Sequence, residues 1–244
     1  MSRPAAPAAS RAAAGEVAVQ AGSSARAAAP AAGTQRYQLG LYRRGPAWTP
    51  ERTPYTDSLQ AGHLANMKVM FDAGALEGAG PFLDGQPLPG ILIFSSDSAR
   101  AATLVAADPS VVAGRLVIEL VPWTGPAGIG STYRRRQAEG TARDSMLRFA
   151  FAFVRHATPA GQDARARDRA LAGHDTFMAG LAKDPRLVAH GPIERSAEFH
   201  SIVVYDGKVE DLKALLAPDP AIKAGWLVPD VRPWMCGAGV MPGH

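Results

Sequence analysis

The chain predicts an α+β protein. It reads as two tandem ferredoxin-like βαββαβ units whose sheets pack together as an intrachain dimeric α/β-barrel pseudo-dimer. Three observations carry this. A set of residues occurs twice: Gly62-His63, Gly80-Pro81, Asp108-Pro109, Ala113-Gly114 and Pro122-Trp123 return as Gly173-His174, Gly191-Pro192, Asp219-Pro220, Ala224-Gly225 and Pro233-Trp234, each 111 residues later. A repeat of that length is a duplicated domain rather than a solenoid turn. Within each copy, helical and strand periods alternate in the order strand, helix, strand, strand, helix, strand. Finally, such a unit carries its helices on one sheet face and leaves an apolar face bare, which a second unit on the same chain can cover.

The elements of the first copy follow in order. Gln38 to Tyr42 reads as a strand. From Asp57 to about Ala73, Leu59, Leu64, Met67, Met70 and Phe71 recur at spacings of three and four, the helical period, and Gly74 supplies a stop. Leu76 to Phe82 is a short strand that includes Gly80-Pro81, and Ile91 to Phe94 is an apolar strand after Pro89-Gly90. Ser98 to Ala107 is the second helix, closed by Asp108-Pro109 because the residue before proline avoids the helical region. Leu116 to Val121 is the last strand.

The second copy repeats the order. Phe149, Phe151 and Phe153 alternate in a strand running to Val154, and Asp168 to Leu181 forms the helix. Ile202 to Tyr205 is the central strand and Val209 to Leu216 the second helix. The closing strand, Leu227 to Val231, contains Pro229, which requires a sheet edge or a bulge.

The domain plan is a low-complexity tail (1–34), a first domain (35–123), a linker (124–146), a second domain (147–236) and a short tail (237–244). The first 34 residues are mostly Ala, Pro, Ser, Gly and Arg, too poor in bulky apolar side chains to build a core, so they read as disordered. Gly15, Glu16 and Gln20 interrupt the best apolar stretch, which argues against a secretory signal. The net charge of +4 arises from the tail, at +2, and from residues 131–143, at +3. The folded halves are left near neutral, which argues against a nucleic-acid partner. Nothing approaches the ~20 apolar residues of a membrane helix. The single Cys236 fits a cytoplasmic protein, with a disulfide-free exported chain as the alternative. The chain is expected as a monomer, being its own pseudo-dimer, or as a higher oligomer of that unit.

Two polar residues persist in both copies, a His and an Asp 45 positions apart. His63 lies in register with Leu59, Met67 and Met70, and His174 with Ala170, Met178 and Leu181, so both rings should point inward. Each is either a core histidine bonded to a backbone carbonyl or a general acid/base. Asp108 and Asp219 either shape an Asp-Pro turn or orient the imidazoles, as in the His–Asp part of a catalytic triad. Gly80, Pro81, Gly191 and Pro192 either shape strand ends or let a ligand approach the backbone. Arg44 and Arg155 share the 111-residue offset and are either solvated strand ends or contacts for an anionic group. Trp123 and Trp234 belong to the core or wall a pocket. His156, His190, His200 and His244 have no repeat partner and read as incidental. No dinucleotide fingerprint, phosphate loop, serine-hydrolase elbow or metal-ligand spacing is present, so neither cofactor nor metal is expected.

The ordered set "RRGPAW", "GHLANM", "AGPFLDG", "GILIF" and "AADPSVVAGRLVIELVPW" resembles the YciI-like (YCII-related) family, and "AGHDTFM", "HGPIE", "PDPAIKAG" and "RPW" resemble it more loosely. The second copy departs from the pattern at Ile193, where an aromatic is usual, at Ser201 in place of Gly90, and at Pro229. The resemblance implies ferredoxin-like domains that pair into an α/β barrel. It also implies an active site on His63 with Asp108 and on His174 with Asp219, and dehydrochlorination of a hydroxylated aromatic as one associated activity. The resulting expectation is a cofactor-independent enzyme doing lyase- or isomerase-like proton transfer on a small molecule. A non-catalytic ligand-binding or accessory module is the alternative.

Overall fold

The computed structural model describes residues 33–159, 161 and 163–244. The tail expected over 1–34 therefore lies outside the described residues, except for Gly33 and for Thr34, which already opens a strand. The first unit contains β1 (Thr34–Arg44), α1 (Pro54–Asp72), β2 (Leu76–Pro81), β3 (Gly90–Phe94), α2 (Ser98–Ala106), α3 (Pro109–Val112) and β4 (Leu116–Pro126). After α4 (Ser131–Ala138) comes the second: β5 (Met146–His156), α5 (Ala164–Leu181), β6 (Leu187–Pro192), β7 (Phe199–Tyr205), α6 (Val209–Leu216), α7 (Pro220–Lys223) and β8 (Leu227–Gly237).

Each unit is a four-stranded antiparallel sheet, ordered β2-β3-β1-β4 and β6-β7-β5-β8. Pro229 thus stands in the edge strand of its own sheet, one of the two places the sequence allows it. Strand alternation gives every sheet two apolar faces. One face packs on the unit's helices: Tyr42, Leu92, Phe94 and Ile118 meet Met70, Ala101 and Val105, and Ala152, Val154 and Val203 meet Met178, Leu212 and Leu216. The other faces meet each other around Leu39, Leu41, Ile91, Ile93, Phe151, Phe153, Ile202 and Val204. The two ferredoxin-like units are therefore sheet-to-sheet, as the bare-face argument requires.

Backbone bonds between units close the barrel, from Leu83 N–H to the Pro233 carbonyl at 2.9 Å and from Glu194 N–H to the Pro122 carbonyl at 2.8 Å. The indole N–H groups of Trp123 and Trp234, both fully buried, donate across the interface to the carbonyls of Gly191 and Gly80. The repeated Gly-Pro and Pro-Trp pairs are thus two ends of one interlock, used twice. A Cβ at Gly80 would collide with the Met235 carbonyl oxygen, and one at Gly191 with that of Thr124.

Four expectations change. Asp108 and Asp219 do more than follow the second helix of each unit; they start α3 and α7 as N-caps, with proline at the first helical position. The stretch 124–146 is no mere linker, since β4 runs through Pro126 and α4 packs on the first unit. Arg134, part of the basic stretch 131–143, bonds the Phe71 and Leu76 carbonyls and Glu77, and lies over the Phe71 ring. Residues 237–244 are no free tail, because Val240 and Met241 are buried.

The fourth change concerns the repeat register. Tyr37 faces Trp123 while Phe149 faces Trp234, so the first strands correspond at 112 residues and not 111. A one-residue difference lies in the loop that follows. Arg155 is the counterpart of Arg43, and Arg44 is the counterpart of His156. Because strand side chains alternate faces, that single step separates the two arginines the sequence pairs.

Candidate functional site

Helix α1 starts at a Thr53 capping box with Pro54 in its first turn and buries Leu59, His63 and Met70 against the sheet. Gly62 lets it approach α3 closely, since a Cβ there would lie 2.9 Å from the Pro109 ring. Gly173 does the same against Pro220. The repeated Gly-His and Asp-Pro pairs are therefore two sides of one helix contact, and that contact brings imidazole and carboxylate together.

His63 Nδ1 lies 2.5 Å from Asp108 Oδ2, and His174 Nδ1 lies 2.6 Å from Asp219 Oδ2. The other carboxylate oxygen of each Asp accepts a 2.8 Å bond from the N–H of Ser110 or Ala221. Both Asp side chains are fully buried, so these bonds replace the water they lack. An ionised carboxylate only accepts, so Nδ1 carries the proton and Nε2 presents its lone pair. That arrangement can take up a proton at Nε2 and stabilise the resulting imidazolium. Burial opposes the charge on Asp219, but the His174 bond and the α7 amides outweigh it and hold that carboxyl below its usual range.

The two pairs sit in different surroundings. His63 lines a cleft of about 1040 Å³ together with Tyr42, Met67, Phe71, Gly80, Pro81 and Arg115. The cleft is completed by parts that lie outside the first unit's repeat, namely Tyr133 and Gln137 of α4 and Val240 of the C-terminal segment. Around His174, which is buried, the corresponding positions carry other residues. At the 111-residue offset His190 replaces Ala79 and His200 replaces Pro89, both cleft residues in the first unit. The His200 ring packs edge-on to His174 at 5.1 Å and to His156 at 5.2 Å. Burial and the neighbouring His174 push the His200 ring down to about 4 and lower His190 as well, while burial lowers His156. His200, which reads as incidental, thus packs on His174, while His156 is exposed and borders a cavity of about 410 Å³ with Arg167 and Trp226. Nothing in the repeat signals that packing, because it forms only once strands are paired. Among the described residues, no group of three or more His, Cys, Asp or Glu is arranged to hold a metal ion.

The remaining candidates are placed as follows. Arg44 bonds the Gly85 carbonyl at 3.0 Å and stacks over Trp48 at 3.9 Å. Arg155 pairs with Glu198 and Asp230, and Arg43 with Glu119 and the same Glu198, an ion cluster that ties the units together. Gly80 and Pro81 border the cleft, whereas Gly191 meets Trp123 and Thr124 at the interface and Pro192, beside it, ends β6. The arginine that does line the cleft is Arg115, bonded to Thr49. No helix among the described residues is long and apolar enough to cross a membrane.

No family model matches the sequence, and no curated protein is similar to it. Among solved structures, a chlorite dismutase from Candidatus Nitrospira defluvii in complex with imidazole is similar over 85% of this chain and 92% of its own, with a TM-score of 0.51 and 11% identity. A heme-binding protein from Thermus thermophilus is similar over 84% of this chain and 92% of its own, with a TM-score of 0.47 and 10% identity. At that identity the first likeness shows the shared two-unit α+β barrel and nothing of its chemistry.

Proposed function

We propose that the protein is a small-molecule enzyme of the lyase or isomerase kind, built from two YciI-like units, of which the first is the working one. His63 is the acid/base and Asp108 holds its tautomer. The observation that carries this is the buried pair His63–Asp108, with Nε2 left without a partner among the described residues at the wall of an open cleft. The reaction uses proton transfer alone and requires no cofactor. His174 and Asp219 keep the same contact as a structural relic, with the His200 ring packed on a buried His174.

The cleft wall is mostly apolar, and its charged residues are largely paired with each other or with nearby side chains, Lys68 with Asp72 and Glu77 with Arg134. A small aromatic or otherwise apolar body fits it better than a polyanion. The same breadth favours the second reading, a binding module without turnover.

Co-crystallisation with a panel of small aromatic and dicarboxylic acids tests the site, with density expected beside His63. Solvent-deuterium exchange into phenylacetone, whose C–H lies beside a carbonyl, tests the chemistry. Exchange should be faster than in buffer and lost in His63→Ala. A bound ligand without any His63-dependent exchange would leave the binding module standing and remove the enzyme.

A further inference from the structure

Tyr42 is the odd phenol of this molecule. Tyr37 donates to the Pro126 carbonyl, Tyr205 to Asp184, and the Tyr133 hydroxyl accepts from Gln137. Tyr42 is buried like Tyr37 and Tyr205, yet its hydroxyl has no partner among the described residues. A buried hydroxyl left unpaired forfeits the hydrogen bonds it makes to water in the unfolded chain, so such a group calls for an explanation. Tyr42 also lines the cleft beside His63, the two rings 5.2 Å apart and nearly perpendicular. Strand pairing makes Val154 its counterpart in the second unit. The phenol is therefore present beside His63 and absent from the second unit.

We propose that the Tyr42 hydroxyl is the hydrogen-bond donor for an oxygen of the cleft's ligand, and that the ligand is a carbonyl compound with an apolar body. The catalytic form of this inference rests on His63 being the base. His63 Nε2 removes the proton from the carbon next to the carbonyl, and the C–H pair becomes the C=C bond of an enolate. The carbonyl π pair moves onto oxygen, which accepts the Tyr42 O–H bond. In a β,γ-unsaturated carbonyl compound the enolate is a dienolate, and return of the Nε2 proton to its γ-carbon, with the carbonyl re-formed and the C=C left between the α and β carbons, completes an isomerisation. Re-formation of the carbonyl with departure of a group on the next carbon, which takes its bonding pair and the Nε2 proton, completes an elimination. Burial, and next to it the Asp108 charge, hold the phenol's ionisation well above its ordinary range, so it remains a donor throughout.

The test uses the full chain and 4-nitrophenol, whose phenolate is a coloured mimic of an enolate oxygen. Wild type should bind the phenolate, and Tyr42→Phe should bind it at least tenfold more weakly. Tyr42→Phe should melt at the wild-type temperature or above, since it removes an unpaired hydroxyl. Unchanged phenolate affinity in Tyr42→Phe, or no binding by wild type, overturns the donor role. A drop in melting temperature with unchanged affinity assigns the hydroxyl to structure and overturns it equally. Deuterium exchange separates this from the His63 reading. If His63→Ala abolishes exchange while Tyr42→Phe changes neither exchange nor phenolate binding, His63 stands and Tyr42 falls. If Tyr42→Phe weakens binding and no variant exchanges protons, Tyr42 stands as a ligand donor and the acid/base reading falls.

Discussion

The indole N–H of Trp123 donates to the carbonyl of Gly191 in the opposite unit at 3.2 Å, and its repeat partner Trp234 makes the reciprocal bond to Gly80 at 3.1 Å. Each glycine lies so close to a strand of the other unit that a methyl group would enter a backbone carbonyl, and Gly191 also holds a φ of +154° that other residues rarely adopt. Gly191→Ala and Gly80→Ala should each destabilise the protein by about 1–3 kcal/mol or more. Urea unfolding measures this. A change within error at both positions would mean that the interlock is looser than its geometry.

The two His–Asp contacts should respond unequally to truncation. His174→Ala leaves the buried Asp219 carboxylate without its partner, a change that costs about 3–5 kcal/mol. His63→Ala opens onto the cleft, where water can solvate Asp108, so its cost should be nearer about 1 kcal/mol, the low end for an unmade bond. Chemical denaturation of the two variants checks the order. Equal losses would contradict the contrast between the two surroundings.

Acid should weaken the second unit through its histidines. His200 titrates near 4 in the fold, against 6.5 for an ordinary ring, so between those values the unfolded chain binds a proton that the folded chain refuses. Stability is then full above about pH 6.5 and falls as pH drops toward about 4. The lowered His190 and His156 act in the same direction. Asp219, held below its usual range, loses its share only in stronger acid. Urea midpoints between about pH 7.5 and about pH 4.5 should decline for wild type and flatten for His200→Gln. Parallel curves would remove His200 as a cause.

The C-terminal segment should hold α4 in place. The Gly130 N–H bonds the Val240 carbonyl at 2.7 Å, and the Tyr133 N–H bonds that of Gly239 at 2.9 Å. Burial of Val240 and Met241 adds about 1.5–3 kcal/mol each. Deleting residues 238–244 should lower the melting temperature and speed tryptic cleavage at Arg134, Arg135 and Arg136. Unaltered cleavage would show α4 to be held from the first unit, by Arg134 and by Tyr133 against Phe71.

The sequence by itself determined the duplication, the element order, the facing sheets and the His and Asp positions that meet. All of these follow from local periods and from spacings that survive within one chain. The positions of Gly62 and Asp108 were legible from the repeat, but the helix contact and the cap that fix their residue types were not. The tertiary structure decided what strand register and long-range packing control. The one-residue step before α5 exchanges Arg44 for Arg43 as the partner of Arg155, and no spacing within a strand reveals it. Tyr42 and His200 acquire their meaning only across paired strands, where one lines the cleft beside His63 and the other packs on His174. The C-terminal segment and α4 look like a tail and a linker because their partners lie far away in sequence. Only folding sets Val240 and Tyr133 against the cleft that His63 lines.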